Sequence, residues 1–359
     1  MENKTFTPGG SFIIQDAKPE DIFTPEDFTE EQRMMADATT DFIDKEVWPQ
    51  KQRFEKHDYN FTFELMRKAG EMGLLGISVP EQYGGLGMGF NTSMLIADRI
   101  SGATGSLSTA YGAHTGIGTM PILLYGTEEQ KQKYLPGLST GELIGCYCLT
   151  EPGAGSDANS GRTKAELTED GKHYKINGQK MWISNAGYAD VFIVFARIED
   201  DKNITGFIVD KGTEGLTLGE EEHKMCINAS STRQVFFNDM LVPVDHLLGE
   251  RNGGFKIAMN ALNIGRIKLA VATLDANRRS MNEAVKYANE RKQFGVNIGR
   301  FGAIKHKIGE MATKHYASES ATYRYGQLIE ENIARLEAEG MSPQEAKLKG
   351  VEEYAIECA

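Results

Sequence analysis

The stretch "CYCLTEPGAGSDA", residues 146–158, decides which of two folds the chain can adopt. An apolar run that begins at Leu143 leads directly into a turn in which Gly153, Gly155 and Ala158 match the spacing G-x-G-x-x-A. After a strand, this spacing is the fingerprint of a dinucleotide-binding Rossmann unit, provided that a helix begins at the glycines. Otherwise the same turn can direct backbone amides at a phosphate group in another architecture.

The residues after the turn exclude the first interpretation. They contain Gly161, the turn 169–171 and Gly178, and they alternate between polar and apolar residues as strands do. Short β-like runs follow one another between Gly, Asp and Asn, with no helical pattern between them: LIGCYCLT, TKAELT, KHYKINGQKMWIS, DVFIVFARI, ITGFIVD and RQVFFNDM. The sequence therefore predicts an antiparallel, β-barrel-like domain, and the glycine spacing does not indicate NAD.

Helical patterns lie on both sides of these strands. Thr29 with Gln32, and Thr127 with Gln130, have the spacing of capping boxes, and the second box opens a short helix toward Pro136. Helical spacing returns at Gly254. The predicted fold class is α+β: an extended arm (1–25), an N-terminal all-α domain (26–141), the middle β domain (142–252) and a C-terminal helical bundle (253–359).

The last predicted helix begins after a cap at Ser342 and carries an apolar stripe at Leu348, Val351, Ala355 and Cys358. The sequence stops inside this helix, with no partner helix after it. We therefore expect its buried face and last carbonyls to lack partners, and the C-terminal bundle to be incomplete.

Composition excludes several classes of protein. The net charge is −12 and no basic patch with interleaved aromatic residues occurs, so no nucleic-acid partner is expected. No run of 18 apolar residues predicts a transmembrane segment. The N-terminus has neither a signal-peptide nor a transit-peptide pattern, and cytoplasmic residence is expected. The cysteines are too few and too scattered for a metal site or a disulfide framework, and buried free thiols are expected for Cys146 and Cys148.

Several collinear motifs together resemble the acyl-CoA dehydrogenase family. They span nearly the whole chain: YCLTEPGAGSDA (147–158), INGQKMWISN (176–185), ITGFIVDK (204–211), GGFKIAMNALNIGR (253–266) and ERKQFG (290–295). YGAHTGIG (111–118), NIGR (263–266) and FGAI (301–304) look like the long-chain or very-long-chain type. Gly265 stands where some short-branched-chain members place their catalytic Glu.

The resemblance implies FAD-dependent α,β-dehydrogenation of long-chain acyl-CoA thioesters, a step of fatty-acid β-oxidation. A carboxylate removes the α proton, FAD accepts the β hydrogen as hydride, and the electrons pass to an electron-transfer flavoprotein. The family's members that resemble this chain are homodimers or tetramers, so a homo-oligomer is expected.

The resemblance also assigns residues to these roles. The FAD-contacting positions would be Tyr147, Cys148, Leu149, Thr150, Gly155, Ser156, Trp182, Ile183, Ser184, Arg291 and Phe294. Arg291 and Phe294 would contact the cofactor of the partner subunit, and the arginine fork suits a pyrophosphate. The substrate would be lined by Ser156, Asn263, Gly265 and Arg266.

No catalytic base is assigned within the chain. In very-long-chain relatives the base is a Glu in a Glu-Gly-Thr motif, which would fall beyond Ala359. Glu151 is interpreted as structural. The 359-residue chain is therefore expected to be a truncated, inactive piece of an active enzyme. Alternatives are an acyl-CoA oxidase or flavin oxygenase of the same fold, and a non-catalytic truncated binding module.

Overall fold

The computed structural model describes residues 6–11 and 14–358, so the predicted arm 1–25 lies partly outside the described residues. The first part of the fold is helical. Its helices are α1 (Glu30–Phe42), α2 (Gln52–Glu55), α3 (Tyr59–Glu71), α4 (Phe90–Ser101), α5 (Gly105–Gly112), α6 (Met120–Tyr125) and α7 (Glu128–Thr140).

Both predicted capping boxes are present. The Thr29 hydroxyl accepts from the backbone N–H of Gln32, whose side chain accepts from the backbone N–H of Thr29, and Thr127 and Gln130 repeat the arrangement at α7. The prediction that this last helix runs only toward Pro136 is wrong, because α7 continues through the proline to Thr140. Its last turn is held by the core, since Leu138 is fully buried.

The middle of the chain forms the predicted β domain. Its strands are β1 (Gly145–Cys148), β2 (Lys164–Leu167), β3 (His173–Ser184), β4 (Val191–Ile198), β5 (Thr205–Asp210), β6 (Leu216–Glu221), β7 (Thr232–Pro243) and β8 (Leu247–Leu248). The strand order is β6-β7-β3-β2-β4-β5-β8, with β1 paired to β4. Most pairings are antiparallel as predicted, but β4 runs parallel to both β1 and β2. No helix opens at the glycine turn, where a single 3₁₀ turn over Ala158–Ser160 leads into β2, so the exclusion of a Rossmann unit is confirmed.

Strand periodicity divides the interior into two cores. In β1, Cys146 and Cys148 face the core of the β domain with their sulfurs 3.9 Å apart, and both are free and buried as predicted. The alternate residues Tyr147 and Leu149 face the larger core that the helices share. One strand thus joins the two halves of the molecule.

Helices return after the sheet. They are α8 (Gly254–Val271), α9 (Leu274–Glu290), α10 (Gly302–Ala338), α11 (Pro343–Glu353) and α12 (Ala355–Cys358), and a short hairpin of β9 (Lys292–Gln293) and β10 (Val296–Asn297) follows α9. The expectation that the last helical stripe lacks partners is wrong. α11 packs on α10, α8 and α6, and Val351, Tyr354 and Cys358 are buried in the shared core.

The segment Gly254–Glu290 is long and apolar enough to cross a membrane by length and composition. It consists of α8 and α9, which are separate helices, and half of its most apolar window is buried inside the protein. Core helices of a bundle meet the same criterion, so the segment is accounted for by its packing.

Candidate functional site

A cavity of about 350 Å³ lies between the β1–β2 loop, the end of β3 and one face of α8. It is lined by Ile117, Tyr147, Leu149, Thr150, Gly155, Ser156, Ala158, Trp182, Ile183, Ser184, Met259, Leu262 and Arg266. Most of the predicted cofactor positions therefore meet at one place, although they come from segments far apart in the sequence.

A buried ion pair fixes the loop on the cavity's wall. The Lys180 Nζ donates to Glu151 Oε1 at 2.6 Å and to the carbonyl of Leu149 at 3.1 Å, and the two charged side chains are 2% and 7% exposed. Backbone N–H groups of Arg162 and Thr163 also donate to the carboxylate. Burial favours the neutral acid, but the Lys180 ammonium and these donors outweigh it, so the pKa of Glu151 is lowered. These contacts support the interpretation of Glu151 as a structural residue.

Trp182 lies on the opposite wall in an unusual backbone conformation. Its φ is +59°, in the left-handed region that a bulky residue rarely adopts. The register between β3 and β7 shifts between Lys180 and Ile183, which marks a bulge at the tryptophan. The bulge leaves Trp182 60% exposed beside the cavity instead of packed in the sheet. Strain of this kind concentrates at binding sites.

The strand is anchored on both sides of the bulge. Met181 donates its N–H to the carbonyl of Thr150 at 3.0 Å, which ties the strand to the loop. Just after the bulge, the fully buried Asn185 donates its Nδ2 to the carbonyl of Ala110 in α5 at 2.9 Å. Sequence reasoning assigned Asn185 no role, although it sits at the end of the quoted motif. It holds the β3 wall against the N-terminal helices.

Three hydroxyl groups on the cavity wall have no protein partner. Within the described part of the chain, the side chains of Thr150, Ser156 and Ser184 make no hydrogen bond. A Cβ built on Gly155 would meet nothing within 4 Å, so the loop backbone is open on its cavity side. The wall thus offers free donors and acceptors next to a large aromatic face, an arrangement typical of a small-molecule site.

α8 supplies the third wall through Arg266, which was predicted, and through Met259 and Leu262, which sequence reasoning missed. Met259, Leu262 and Arg266 line the cavity, and their spacing of three and four residues places them on one helix face. This helical spacing is the sequence signal from which Met259 and Leu262 could have been assigned to the same wall as Arg266. Ile117 and Ala158 were also missed.

The other predicted substrate positions lie next to the cavity without lining it. Asn263 is buried, and its Oδ1 accepts from the Arg266 guanidinium at 2.5 Å, so it positions that cation. A Cβ on Gly265 would have one neighbour within 4 Å, the Ile117 Cγ2 at 3.8 Å. Packing therefore leaves space for a side chain at position 265.

Three predicted cofactor residues point elsewhere. The Cys148 side chain faces the β-domain core and does not line the cavity. Arg291 follows α9, and Phe294 lies in the β9–β10 turn with a φ of +54° and 91% exposure. Neither lines the cavity of its own chain.

The cavity has one cation and no acid. Among the described residues that line it, Arg266 is the single basic side chain, and none is Asp or Glu. In the ranges 6–11 and 14–358, no group of three or more His, Cys, Asp and Glu side chains is placed to hold a metal ion. The walls therefore suit an aromatic, hydrogen-bonding ligand, and they hold no carboxylate base.

Three family models match the chain one after another: the acyl-CoA dehydrogenase N-terminal domain (29–142), middle domain (146–240) and C-terminal domain (252–357). The chain belongs to the acyl-CoA dehydrogenase family. The predicted fold, helical and then β and then helical, is confirmed by this match.

Relatives and solved structures agree with this assignment. A probable acyl-CoA dehydrogenase of Bacillus subtilis is 48% identical over 351 residues, which are 98% of this chain and 59% of the relative. The crystal structure of an acyl-CoA dehydrogenase complexed with FAD from Bacillus anthracis has a TM-score of 0.94 and 46% identity, covering 98% of this chain and 60% of that one. The very long-chain specific mitochondrial enzyme of Macaca fascicularis is 40% identical over 300 residues, which are 79% of this chain and 46% of the relative.

The chain thus spans about three fifths of the length of the first two of these proteins. The three domain models succeed one another along it and give no support to the expected truncation. The higher identity is to a relative whose name specifies no chain length, so the likeness does not single out the long-chain type.

Proposed function

We propose that the cavity binds FAD and that the chain contributes the flavin-binding part of an enzyme that dehydrogenates acyl-CoA thioesters between the α and β carbons. The single observation that carries the proposal is the convergence of an exposed, strained Trp182 with three unpartnered hydroxyls on one cavity wall. When bound, FAD supplies a hydride acceptor. The residues present fit such a group, because an isoalloxazine ring needs an aromatic or apolar face and a few hydrogen-bonding partners at its edge.

The chain's own residues would then divide the work. Trp182 would cover the ring and exclude water, while Thr150 and Ser184 would hydrogen-bond to its polar edge. Ser156, at the open end of the loop, would mark the border between cofactor and thioester. Arg266, held by Asn263, would attract the anionic part of the substrate. These roles agree with exposure, since Trp182, Ser156 and Arg266 are all exposed along the cavity.

The α proton has no acceptor among the described lining residues. A general base must reach the proton that it removes. We therefore propose that the 359 residues hold flavin but do not turn over, and that a Glu outside them acts as the base in the active enzyme.

The test is the visible absorbance spectrum of the 359-residue chain purified with added FAD and titrated anaerobically with palmitoyl-CoA. We expect a protein-bound flavin band that stays oxidised. Trp182→Ala should weaken flavin binding by about tenfold or more, and Trp48→Phe is the matched control, because the Trp48 indole bonds to Gly102 in the helical domain. Absence of bound flavin from the wild type, or equal binding by both variants, would refute the cofactor proposal.

Position 265 offers a gain-of-function arm. Space beside Ile117 admits a side chain there, so Gly265→Glu would place a carboxylate next to the cavity. We expect palmitoyl-CoA to bleach the flavin of this variant while Gly265→Gln stays oxidised. Bleaching of the wild type would contradict the proposed lack of a base. Rapid reoxidation of the bleached variant by air would favour an oxidase over a dehydrogenase that passes electrons to an electron-transfer flavoprotein.

The remaining assignments are proposals of the same kind. A long-chain substrate and a place in fatty-acid β-oxidation follow from the family resemblance, and a cytoplasmic location follows from the pattern of the N-terminal sequence. We propose a homodimer or tetramer in which the exposed Arg291 and Phe294 reach the cofactor of a second subunit. Arg291→Ala should then lower flavin affinity without changing the cavity of its own chain. Sedimentation at several concentrations measures the oligomer.

A further inference from the structure

A second cavity, of about 260 Å³, lies on another face of α8 and is enclosed by α4, α6, α10 and α11. Its walls are mostly apolar, with Met120, Leu124, Ile264, Ile333 and Val351 among them. None of its lining residues belongs to the cavity proposed for FAD. On α8, Ile264 and Lys268 lie about 200° around the helix from Leu262 and Arg266, since two residues correspond to that rotation.

The most deeply buried charged group on the cavity wall is Lys268, which has no partner among the described residues. Lys268 is 9% exposed and lines the cavity. Across the described residues its ammonium makes no hydrogen bond and no ion pair. Burial lowers its pKa to about 8, so it carries its charge at neutral pH. Burying an ammonium without a hydrogen-bond partner or countercharge costs folding free energy unless a group in the cavity pairs with it.

The other charged groups around the cavity do not fill this role. Glu330 of α10 accepts from the backbone N–H of Asn91 at 2.8 Å and lies more than 4 Å from the lysine nitrogen. Glu337 of α10 faces Lys347 of α11, whose pKa is lowered by burial and raised in part by that glutamate. No ion pair within 4 Å joins Glu337 to Lys347 among the described residues, so the cavity carries two cations, the buried Lys268 and the less buried Lys347 at its α11 side.

We propose that this cavity binds a straight-chain aliphatic carboxylate, with its hydrocarbon tail on the apolar walls and its carboxylate on the Lys268 ammonium. An apolar cavity of about 150 Å³ accepts benzene, so about 260 Å³ has room for a tail of roughly six to eight carbons with its head group. Charge complementarity selects an anion, and the apolar walls select a tail over a small hydrophilic ion. The site is separate from the one proposed for the thioester, so neither proposal depends on the other.

Calorimetric titration of the 359-residue chain at pH 7 with hexanoate, octanoate and 1-octanol tests the inference. Octanoate should bind more tightly than hexanoate by about fourfold per added methylene. Lys268→Met keeps the length of the side chain and removes its charge, so octanoate affinity should fall about tenfold or more while octanol affinity stays or rises. Lys286→Met, at an exposed position on α9, is the matched control and should bind as the wild type does.

A pH series on the wild-type protein tests the same charge without a variant. Octanoate affinity should decline above about pH 8, as the ammonium loses its proton, whereas octanol affinity stays constant. Three results would overturn the proposal: no binding of octanoate, equal octanoate affinity in Lys268→Met and wild type, or a flat octanoate profile from pH 7 to pH 10.

Discussion

Removing either charge of the buried pair Lys180–Glu151 should destabilise the β domain strongly. Lys180→Met leaves the Glu151 carboxylate buried with N–H donors but no countercharge, and Glu151→Gln leaves the ammonium with neutral acceptors. Because the two side chains are 2% and 7% exposed, solvent cannot replace the lost partner. Each single variant should cost about 3–5 kcal/mol, as is usual when one member of a buried pair is removed.

The double variant distinguishes a charge effect from a packing effect. Glu151→Gln with Lys180→Met leaves no buried charge, so its cost should be about 2–3 kcal/mol smaller than the sum of the two single costs. Lys211→Met is the control, since its pair with Asp190 is exposed at the lysine and should contribute under about 1 kcal/mol.

Urea unfolding followed by Trp182 fluorescence measures these costs. A chain of three domains does not unfold in one step, so a local probe is needed. Trp182 lies in the same strand as Lys180, and a Trp48→Phe background removes the chain's only other tryptophan. Single costs below about 1 kcal/mol, or costs that simply add, would refute the role assigned to the pair. Because the pKa of Glu151 is lowered on folding, the coupling should be present above about pH 4.5 and lost as pH falls through the folded value.

Three further substitutions test packing and protonation. Gly265→Ala should stabilise α8 by about 0.5–1 kcal/mol in thermal unfolding, because its Cβ meets only Ile117 at ordinary contact distance; a loss would show a tighter site. Gly70→Ala should destabilise by about 2 kcal/mol or more, because its Cβ would clash with the Thr140 carbonyl, and a neutral effect would contradict that approach. His114 is fully buried, and burial lowers its pKa to about 4. The folded state therefore holds this side chain neutral, and the free energy of unfolding should fall by up to about 3 kcal/mol as pH is lowered from 6.5 to 4. The difference between wild type and His114→Gln across that range should show this slope, and parallel curves would contradict it.

Local signals in the sequence predicted local structure well. The boxes at Thr29 and Thr127 were confirmed because a cap depends on residues three positions apart. The β-like runs were confirmed because alternation of polar and apolar residues is also a local pattern. However, β6 was not identified, and the parallel pairing of β4 with β1 and β2 was not predicted. Pairing depends on contacts between distant segments, which a run of alternating residues does not encode.

The candidate site was predictable mainly through the family resemblance. From pattern alone, a tryptophan inside a strand is expected to pack in the core, whereas Trp182 is 60% exposed. The bulge that turns Trp182 outward depends on the register between β3 and β7, and no local sequence motif predicts that register. The wall from Met259, Leu262 and Arg266 lies on a helix about a hundred residues from the glycine loop in sequence. The helical spacing of these residues is evident in the sequence, but the sequence pattern does not indicate that they face the glycine loop across a cavity.

α8 separates the two cavities, and this geometry makes the two proposals independently testable. Residues 262 and 266 face the proposed flavin site, whereas residues 264 and 268 face the lysine cavity. Lys268→Met should therefore leave the flavin band intact, and Trp182→Ala should leave octanoate binding intact. If either variant abolished both binding activities, the cause would be a wider loss of structure, because no lining residue is shared. The crossed pair of variants thus separates failure of one site from failure of the fold that carries both.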